Sequence, residues 1–404
     1  MKKNKSFVLS IVLIVMSFFT CITNNKRYAA EKIVASAPAA DVLSIHSRSA
    51  CLMEVTTGKI LFEKNADEKL KPASVTKIMT LLLIFDAIEQ GNLKMDDVVT
   101  VSEHAASMGG SQCFFEQGEQ QTVEDMIKCI EIASGNDAAV AMAEHLAGSE
   151  EAFVIMMNDK AKELGMNNTN FVNACGLEAE GHVTSARDIA IMSQELLSKH
   201  PEILNYSTIW MDKIYHVTKK GKQEFDLANT NKFLRQYPGA NGLKTGYTSQ
   251  AGYCMSACAD REGVMLIAVI MGADTKEIRN SEAGKLLDLG FSKCKLYVDE
   301  ELKNANLCTN ITGGTKNTLS CTIAVNSNQF VIDCNASEIT KTINYHDKLH
   351  APINKGDIVG EIQYKHKDQI LYKVPIYAAE TIEKTTYKYC FKTIFSELFL
   401  MTTK

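Results

Sequence analysis

The chain lacks most features that assign a protein by bulk properties. Net charge is only -5 over 404 residues and no stretch is strongly basic, so nothing marks a nucleic-acid partner. The apolar run near the start, Phe7 to about Cys21, falls short of the roughly 20 residues that a spanning helix needs. No internal repeat is visible. Neither the cysteines nor His182 and the other histidines have zinc-ligand spacing, since Cys254 and Cys258 stand four apart with no second pair nearby. No metal or organic cofactor is therefore expected.

What is present is a large apolar fraction, 46% of the residues, enough for two domains and a sizeable core. The first thirty residues differ from the rest. Lys2, Lys3 and Lys5 precede the apolar run, and Asn24, Asn25, Lys26 and Arg27 lead to Tyr28-Ala29-Ala30. That order predicts a secretory signal over residues 1–30, with an uncleaved anchor as the alternative. Phe18-Phe19-Thr20 is a poor approach to a lipidated Cys21. The twelve cysteines are dispersed, and several lie in apolar segments, so most read as free thiols packed as small hydrophobes.

Residues 31–43 read as a linker. SACLMEVTTGKILFEK, from Ser49 to Lys64, predicts a hairpin about Thr57-Gly58. Helical patterns follow from Ser74, over 122–147 with a break at Ser134-Gly135-Asn136, over 150–165 and over 185–199. Strands are expected at 242–247, 251–259 and 264–271, then a helix over 276–290. Strands from both ends with helices between them predict an α+β domain around an antiparallel sheet, spanning 44–292. Short strand-like runs then predict a small all-β domain over 293–378. In the tail, residues 385–404, Phe391, Ile394, Phe395 and Leu398 follow helical spacing among Lys388, Lys392 and Glu397. This suggests an amphipathic helix lying in a membrane surface rather than one packed on its own domain.

Three short elements carry the chemistry. In PASVTKIMT, Ser74 and Lys77 are three apart at a helix start, so an amine can reach a hydroxyl and act as its base. A second Ser-x-x-Lys, Ser292 to Lys295, has no partners. Ser134-Gly135-Asn136 is the only Ser-x-Asn in the chain; it can turn a hydroxyl and a carboxamide into a cleft, or simply cap a helix. Lys244-Thr245-Gly246 is the only Lys-Thr-Gly. It offers a fixed charge, a hydroxyl for a carboxylate and a bare strand edge for a ligand. Each element alone is weak; the three in this order are not.

The trio is shared by penicillin-binding proteins and class A β-lactamases. With MGGSQ, IASGNDAAVAMAEH, GMNNTNFVNACGL, HVTSARDIA and GLKTGYTSQAGYC, the chain resembles the D-alanyl-D-alanine carboxypeptidases among the low-molecular-mass penicillin-binding proteins, over roughly residues 45–292. The resemblance implies a β-lactamase/transpeptidase-like fold and serine acyl transfer on peptidoglycan stem peptides ending in D-Ala-D-Ala, with β-lactams as covalent inhibitors. It implies Ser74 as nucleophile, Lys77 as base, and Ser134 with Lys244 as the route of a proton to the departing D-alanine. Asn136 would hold a substrate amide, and the backbone N–H groups of Ser74 and Tyr247 would form the oxyanion hole. Thr245 and, by position, Arg279 would bind the terminal carboxylate beside Gly246. It also implies an exported protein peripheral to the outer face of the cytoplasmic membrane. Two rivals stand beside this reading. A β-lactamase would need a water-activating carboxylate; Glu178 and Glu180 lie in the right interval but without the class A pattern. A non-catalytic wall-binding or penicillin-sensing protein would keep the pocket without turnover.

Overall fold

The structure, a computed structural model, describes residues 43–401 apart from 219, 220, 304 and 326, and side chains as far as Ser396. The expected signal segment and nearly all of the expected linker lie outside the described residues.

The runs either side of Thr57-Gly58 form β1 (Ser49–Glu54) and β2 (Ile60–Lys64), an antiparallel pair. The chain then builds a helical layer from α1 (Lys77–Glu89), α2 (Val123–Glu131), α3 (Asn136–Ala147), α4 (Glu150–Glu163) and α5 (Ala186–Lys199). A hairpin follows, β3 (Met211–Thr218) with β4 (Gly221–Ala228). The sequence reading missed it, because its faces are mostly exposed and only Ile214 and Leu227 are fully buried. Next come β5 (Ala240–Thr248), β6 (Gly252–Arg261), β7 (Val264–Ala273) and α6 (Lys276–Lys293).

The sheet runs β2-β1-β7-β6-β5, antiparallel throughout, as expected. Strand β1 thus pairs with β7, Ser49 opposite Met271. Period-two alternation explains the unbroken apolar run of β7. Ile267, Val269 and Met271 pack into the helical layer, while Leu266, Ala268 and Ile270 pack on the opposite face with Ala283, Leu286 and Leu287 of α6. A strand buried on both faces has no polar side. The greasiness of α1 has the same cause, since Lys77 to Asp86 are all buried among neighbouring helices. Strand β5 is left at the edge of the sheet, its outer side available to the site described below.

Beyond α6 the chain forms β8 (Lys295–Val298), β9 (Cys308–Asn310), β10 (Thr318–Thr322), β11 (Gln329–Ile332), β12 (Ile339–Tyr345), β13 (Ile358–His366) and β14 (Gln369–Ala378). Five of these make a second antiparallel sheet, β9-β10-β14-β13-β12, and β8 pairs with β11. Their core is separate and includes Phe330, Val359, Ile362 and Tyr364. Strands β8 and β9 were not foreseen; they are short and only partly buried. The tail is helical, α7 (Tyr387–Met401).

Candidate active site

Ser74 lies in a 3-10 turn, Ala73–Thr76, and the α-helix begins only at Lys77. The sequence reading put both residues on one helix start. The tighter turn brings positions i and i+3 nearly into line, and Lys77 Nζ stands 3.0 Å from Ser74 Oγ. The turn is braced from below. Thr76 Oγ1 donates to Ala73 O at 2.9 Å and lies 2.9 Å from His182 Nε2. Because Val172 N donates to His182 Nδ1 at 3.0 Å, the ring proton sits on Nε2 and points at Thr76. Burial pushes the His182 pKa down to about 4, which keeps the ring neutral. Gly176, at φ +88, passes so close that a Cβ there would lie 1.9 Å from Ala73 O.

Lys77 is fully buried, and its nitrogen has three acceptors: Ser74 Oγ, Asn136 Oδ1 at 2.6 Å and Cys175 O at 2.8 Å. Burial pushes its pKa down to about 7, with the Lys244 ammonium acting in the same direction. A fraction of neutral amine is thus present near neutrality, able to accept the Ser74 proton along the same 3.0 Å contact.

Ser134 adopts φ +61 and is almost fully buried, yet its Oγ has no hydrogen-bond partner. Helix α3 is entered through Gly135 with no side-chain cap, so neither Ser134 nor Asn136 is spent on capping. The turn is held instead by the segment before it. Asn136 N donates to Ser111 O at 2.8 Å, Asn136 Nδ2 to Gly109 O at 2.7 Å, and Cys113 N to the Asp137 carboxylate at 2.9 Å. The Asn136 carboxamide, expected to face a substrate amide, is largely occupied: its oxygen accepts from Lys77 and one N–H is used by Gly109.

Strand β5 supplies the third side. Gly246 lies against the Ser74 turn, where a Cβ would sit 2.9 Å from Ser74 N and 3.0 Å from Pro72 O. Any side chain there would push the turn and the strand apart. Lys244 is buried below, Thr245 is nearly so, and Tyr247 is 57% exposed and packs on Tyr253 with ring centroids 4.4 Å apart. Arg279, on α6, is only 6% exposed, so it is not the solvated surface arginine that its sequence context allowed. It donates to Asn280 Oδ1 at 3.0 Å and to Cys254 O at 3.4 Å. A cavity of about 850 Å³ is lined by Ser74, Ser134, Thr245, Gly246, Tyr247 and Arg279, among others. Lys77, Asn136 and Lys244 lie beneath its wall. Sequence reasoning missed the Cys175 carbonyl, Gly176 and the His182–Thr76 brace; the first two act through backbone, which leaves little signal in side-chain pattern.

Glu178 accepts from Gln250 N at 3.0 Å, and neither it nor Glu180 lines the cavity. Asp86, Glu89 and His200 come within metal-binding distance of one another. Asp86 is, however, already matched by Lys160 at 2.9 Å, Lys199 at 2.6 Å and His200 at 2.8 Å, so two lysines and a histidine already occupy its oxygens.

Comparison with known proteins adds the family. The model for D-alanyl-D-alanine carboxypeptidases matches residues 33–275, and that for the penicillin-binding protein 5 C-terminal domain matches 309–384. D-alanyl-D-alanine carboxypeptidase DacF of Bacillus subtilis (strain 168) is 43% identical over 346 residues, 85% of this chain and 87% of that protein. The crystal structure of penicillin-binding protein 5 from Haemophilus influenzae is 28% identical, with a TM-score of 0.67, covering 87% of this chain and 100% of that one. Penicillin-binding protein D2 from Listeria monocytogenes, solved in its ampicillin-bound form, is 32% identical with a TM-score of 0.51, covering 61% of this chain and 97% of that one. A serine-lysine turn, a buried second lysine and a strand edge about one cavity are thus matched by sequence similarity along most of the chain, and the protein belongs to the D-alanyl-D-alanine carboxypeptidase family of serine peptidases.

Proposed function

We propose that this chain removes the terminal D-alanine from peptidoglycan stem pentapeptides through an acyl-enzyme on Ser74, and that β-lactams trap the same serine. The observation that carries this is the buried Lys77 amine 3.0 Å from Ser74 Oγ, with the Gly246 strand edge against Ser74 N. As Ser74 Oγ attacks the penultimate carbonyl, its proton passes to Lys77 Nζ. The oxyanion develops toward the backbone N–H groups of Ser74 and Tyr247, where fixed donors in a dry site act most strongly. The unpartnered Ser134 hydroxyl, backed by Lys244, carries a proton to the leaving nitrogen. Water then hydrolyses the ester. Asn136 holds Lys77 in place, which leaves one amide N–H for the substrate. Thr245 and Arg279 take the terminal carboxylate.

Residues 44–292 act as the catalytic domain and 293–378 as a small β domain, a division supported by their separate cores. Residues 1–30 direct export. Residues 385–404 hold the protein on the outer face of the cytoplasmic membrane, supported by the exposure of Tyr387, Phe391, Ile394 and Phe395 on α7. Among the described residues no helix is long and apolar enough to cross a membrane.

The deciding experiment is fluorescent-penicillin labelling with peptide mapping, run beside D-alanine release from a pentapeptide. Labelling at Ser74 that disappears in Ser74→Ala, with D-alanine release lost in parallel, is expected. Labelling elsewhere removes Ser74 as nucleophile. Binding of the pentapeptide without release favours a sensor, and rapid penicillin turnover favours a β-lactamase.

A further inference from the structure

The oxyanion hole assigned above draws its two donors from different segments. Ser74 N belongs to the 3-10 turn, and Tyr247 N belongs to the end of β5. The turn is braced from several sides. Strand β5, by contrast, lies at the sheet edge, and Tyr247 stands next to its last residue and is 57% exposed. The ladder there is with β6, Tyr247 opposite Tyr253 and Thr248 opposite Gly252. Two donors stabilise an oxyanion only if their spacing is fixed before the reaction. Something must hold this strand end against the serine turn.

The turn from β5 to β6 is gripped at Gln250 from two directions. The Gln250 backbone N–H donates to Glu178 Oε1 at 3.0 Å, and the neighbouring Ser249 Oγ lies 3.5 Å from the same oxygen. The Gln250 side-chain oxygen accepts from Lys71 Nζ. Inside the turn, Ala251 N donates to Thr248 Oγ1 at 3.1 Å. Lys71 stands three residues before Ser74. Glu178 stands three after Cys175, whose carbonyl accepts from Lys77. Both grips therefore start from the segments that hold the nucleophile and its base.

The Glu178 grip has a firm base. Ahead of it, Ala174 N donates to Glu150 Oε1 at 2.8 Å, Thr80 Oγ1 donates to Ala174 O at 2.6 Å, and Gly176 N donates to Asn173 Oδ1 at 2.7 Å. Behind it, His182 is bonded to Thr76 and to Val172 N. A carboxylate mounted on so fixed a loop can locate what it binds. Hydrogen bonds from Thr248 and from Gln250 N hold the Glu178 carboxyl below its ordinary range, so it is ionised near neutrality. In that form it only accepts, which matches a backbone N–H and hydroxyl donors. Glu180, two residues on, is exposed and takes no part in these bonds.

We propose that Glu178 is a positioning residue for the acyl-transfer step: with Lys71 it clamps Gln250, and so sets the end of β5, with the Tyr247 N–H, against Ser74. The inference rests on the function proposed above. Glu178 itself stays outside the cavity and acts through the turn. This is not the part a β-lactamase would give it, because the carboxylate is committed to the Gln250 backbone rather than to a water.

The test is D-alanine release from a pentapeptide, with kcat and KM separated, beside the rate of Ser74 acylation at saturating fluorescent penicillin. Thermal midpoints are recorded for each variant. Glu178→Ala is expected to lower kcat and the acylation rate about tenfold, the scale of a slightly displaced donor, with KM within about twofold of wild type. Glu178→Gln keeps an oxygen that accepts from Gln250 N and recovers most of the rate. Glu180→Ala removes a nearby charge of the same sign and leaves the rate at the wild-type value. Adding Lys71→Met to Glu178→Ala lowers kcat further, because it releases the second grip. Thermal midpoints stay near wild type, since these bonds lie at the surface. A wild-type kcat in Glu178→Ala overturns the proposal. So does an equal loss in Glu178→Gln, a loss carried by KM, or a loss that tracks a lowered thermal midpoint or failure to fold, since each denies positioning through Gln250. No further loss in the double variant overturns the two-sided clamp. Absence of Ser74 labelling in wild type would instead overturn the function proposed above.

Discussion

Lys77 places one nitrogen among a hydroxyl, a carboxamide oxygen and a backbone carbonyl, all within 3.0 Å. The same burial that supplies those acceptors removes water, and this brings an ordinary lysine to a pKa of about 7. Identity and spacing at Ser74 and Lys77 were legible in the sequence; the desolvation was not, because the Cys175 carbonyl and Asn136 arrive from distant segments. Arg279 shows the same limit from the other side. Its sequence context was ambiguous, whereas burial against Cys254 at the cavity wall removes the surface reading. Arg279→Ala is expected to lower kcat/KM for a peptide with a free C-terminal carboxylate by about 10- to 100-fold, the range of a lost charge-assisted hydrogen bond. It should do so mainly through KM, and it should narrow the preference over the matching C-terminal amide. Equal losses on acid and amide would remove Arg279 from carboxylate binding.

At the level of elements, the 3-10 turn at Ala73–Thr76 differs most from expectation. Pattern reading sees a helix because the apolar run of α1 continues without interruption. The turn is imposed from outside, by Gly176 against Ala73 O, by Gly246 against Ser74 N and by the His182–Thr76 hydrogen bond. Gly176 has positive φ and no room for a Cβ. Gly176→Ala is therefore expected to destabilise the protein by at least about 2 kcal/mol and to slow penicillin acylation although every reactive side chain is intact. The thermal midpoint and the acylation rate together check this; wild-type values for both would show that the contact is dispensable. The break between α2 and α3 was legible as a break, since Ser134-Gly135-Asn136 interrupts a helical pattern. That the segment from Gly109 to Cys113 straps it was beyond any local reading.

Across the whole molecule, an antiparallel sheet joins strands from both ends of the catalytic region, and helices cover both of its faces. The hairpin β3–β4 escaped notice because exposed strands carry little hydrophobic alternation. The tail raises a question at this scale too. Tyr387 is 96% exposed and Phe391 69% exposed, apolar surface left uncovered by the described residues. Deletion of residues 385–404 is expected to move the protein from vesicles containing anionic phospholipid to the supernatant in a sedimentation assay, without changing penicillin labelling of Ser74. Continued vesicle binding by the truncated protein would refute anchoring through α7.

The sequence by itself determined which chemical groups are available and roughly which elements carry them: a serine-lysine pair before a buried helix, a serine-asparagine break, a lysine-threonine-glycine strand, and the two kinds of sheet. Those properties are local, set by residue identity and by periods of two and near four along the chain. Tertiary structure alone decided that the three elements share one cavity, that Ser74 sits on a 3-10 turn, and that Asn136 holds Lys77. Each of these depends on burial and on charge between segments far apart in sequence, and neither burial nor distance is written in any single stretch of residues.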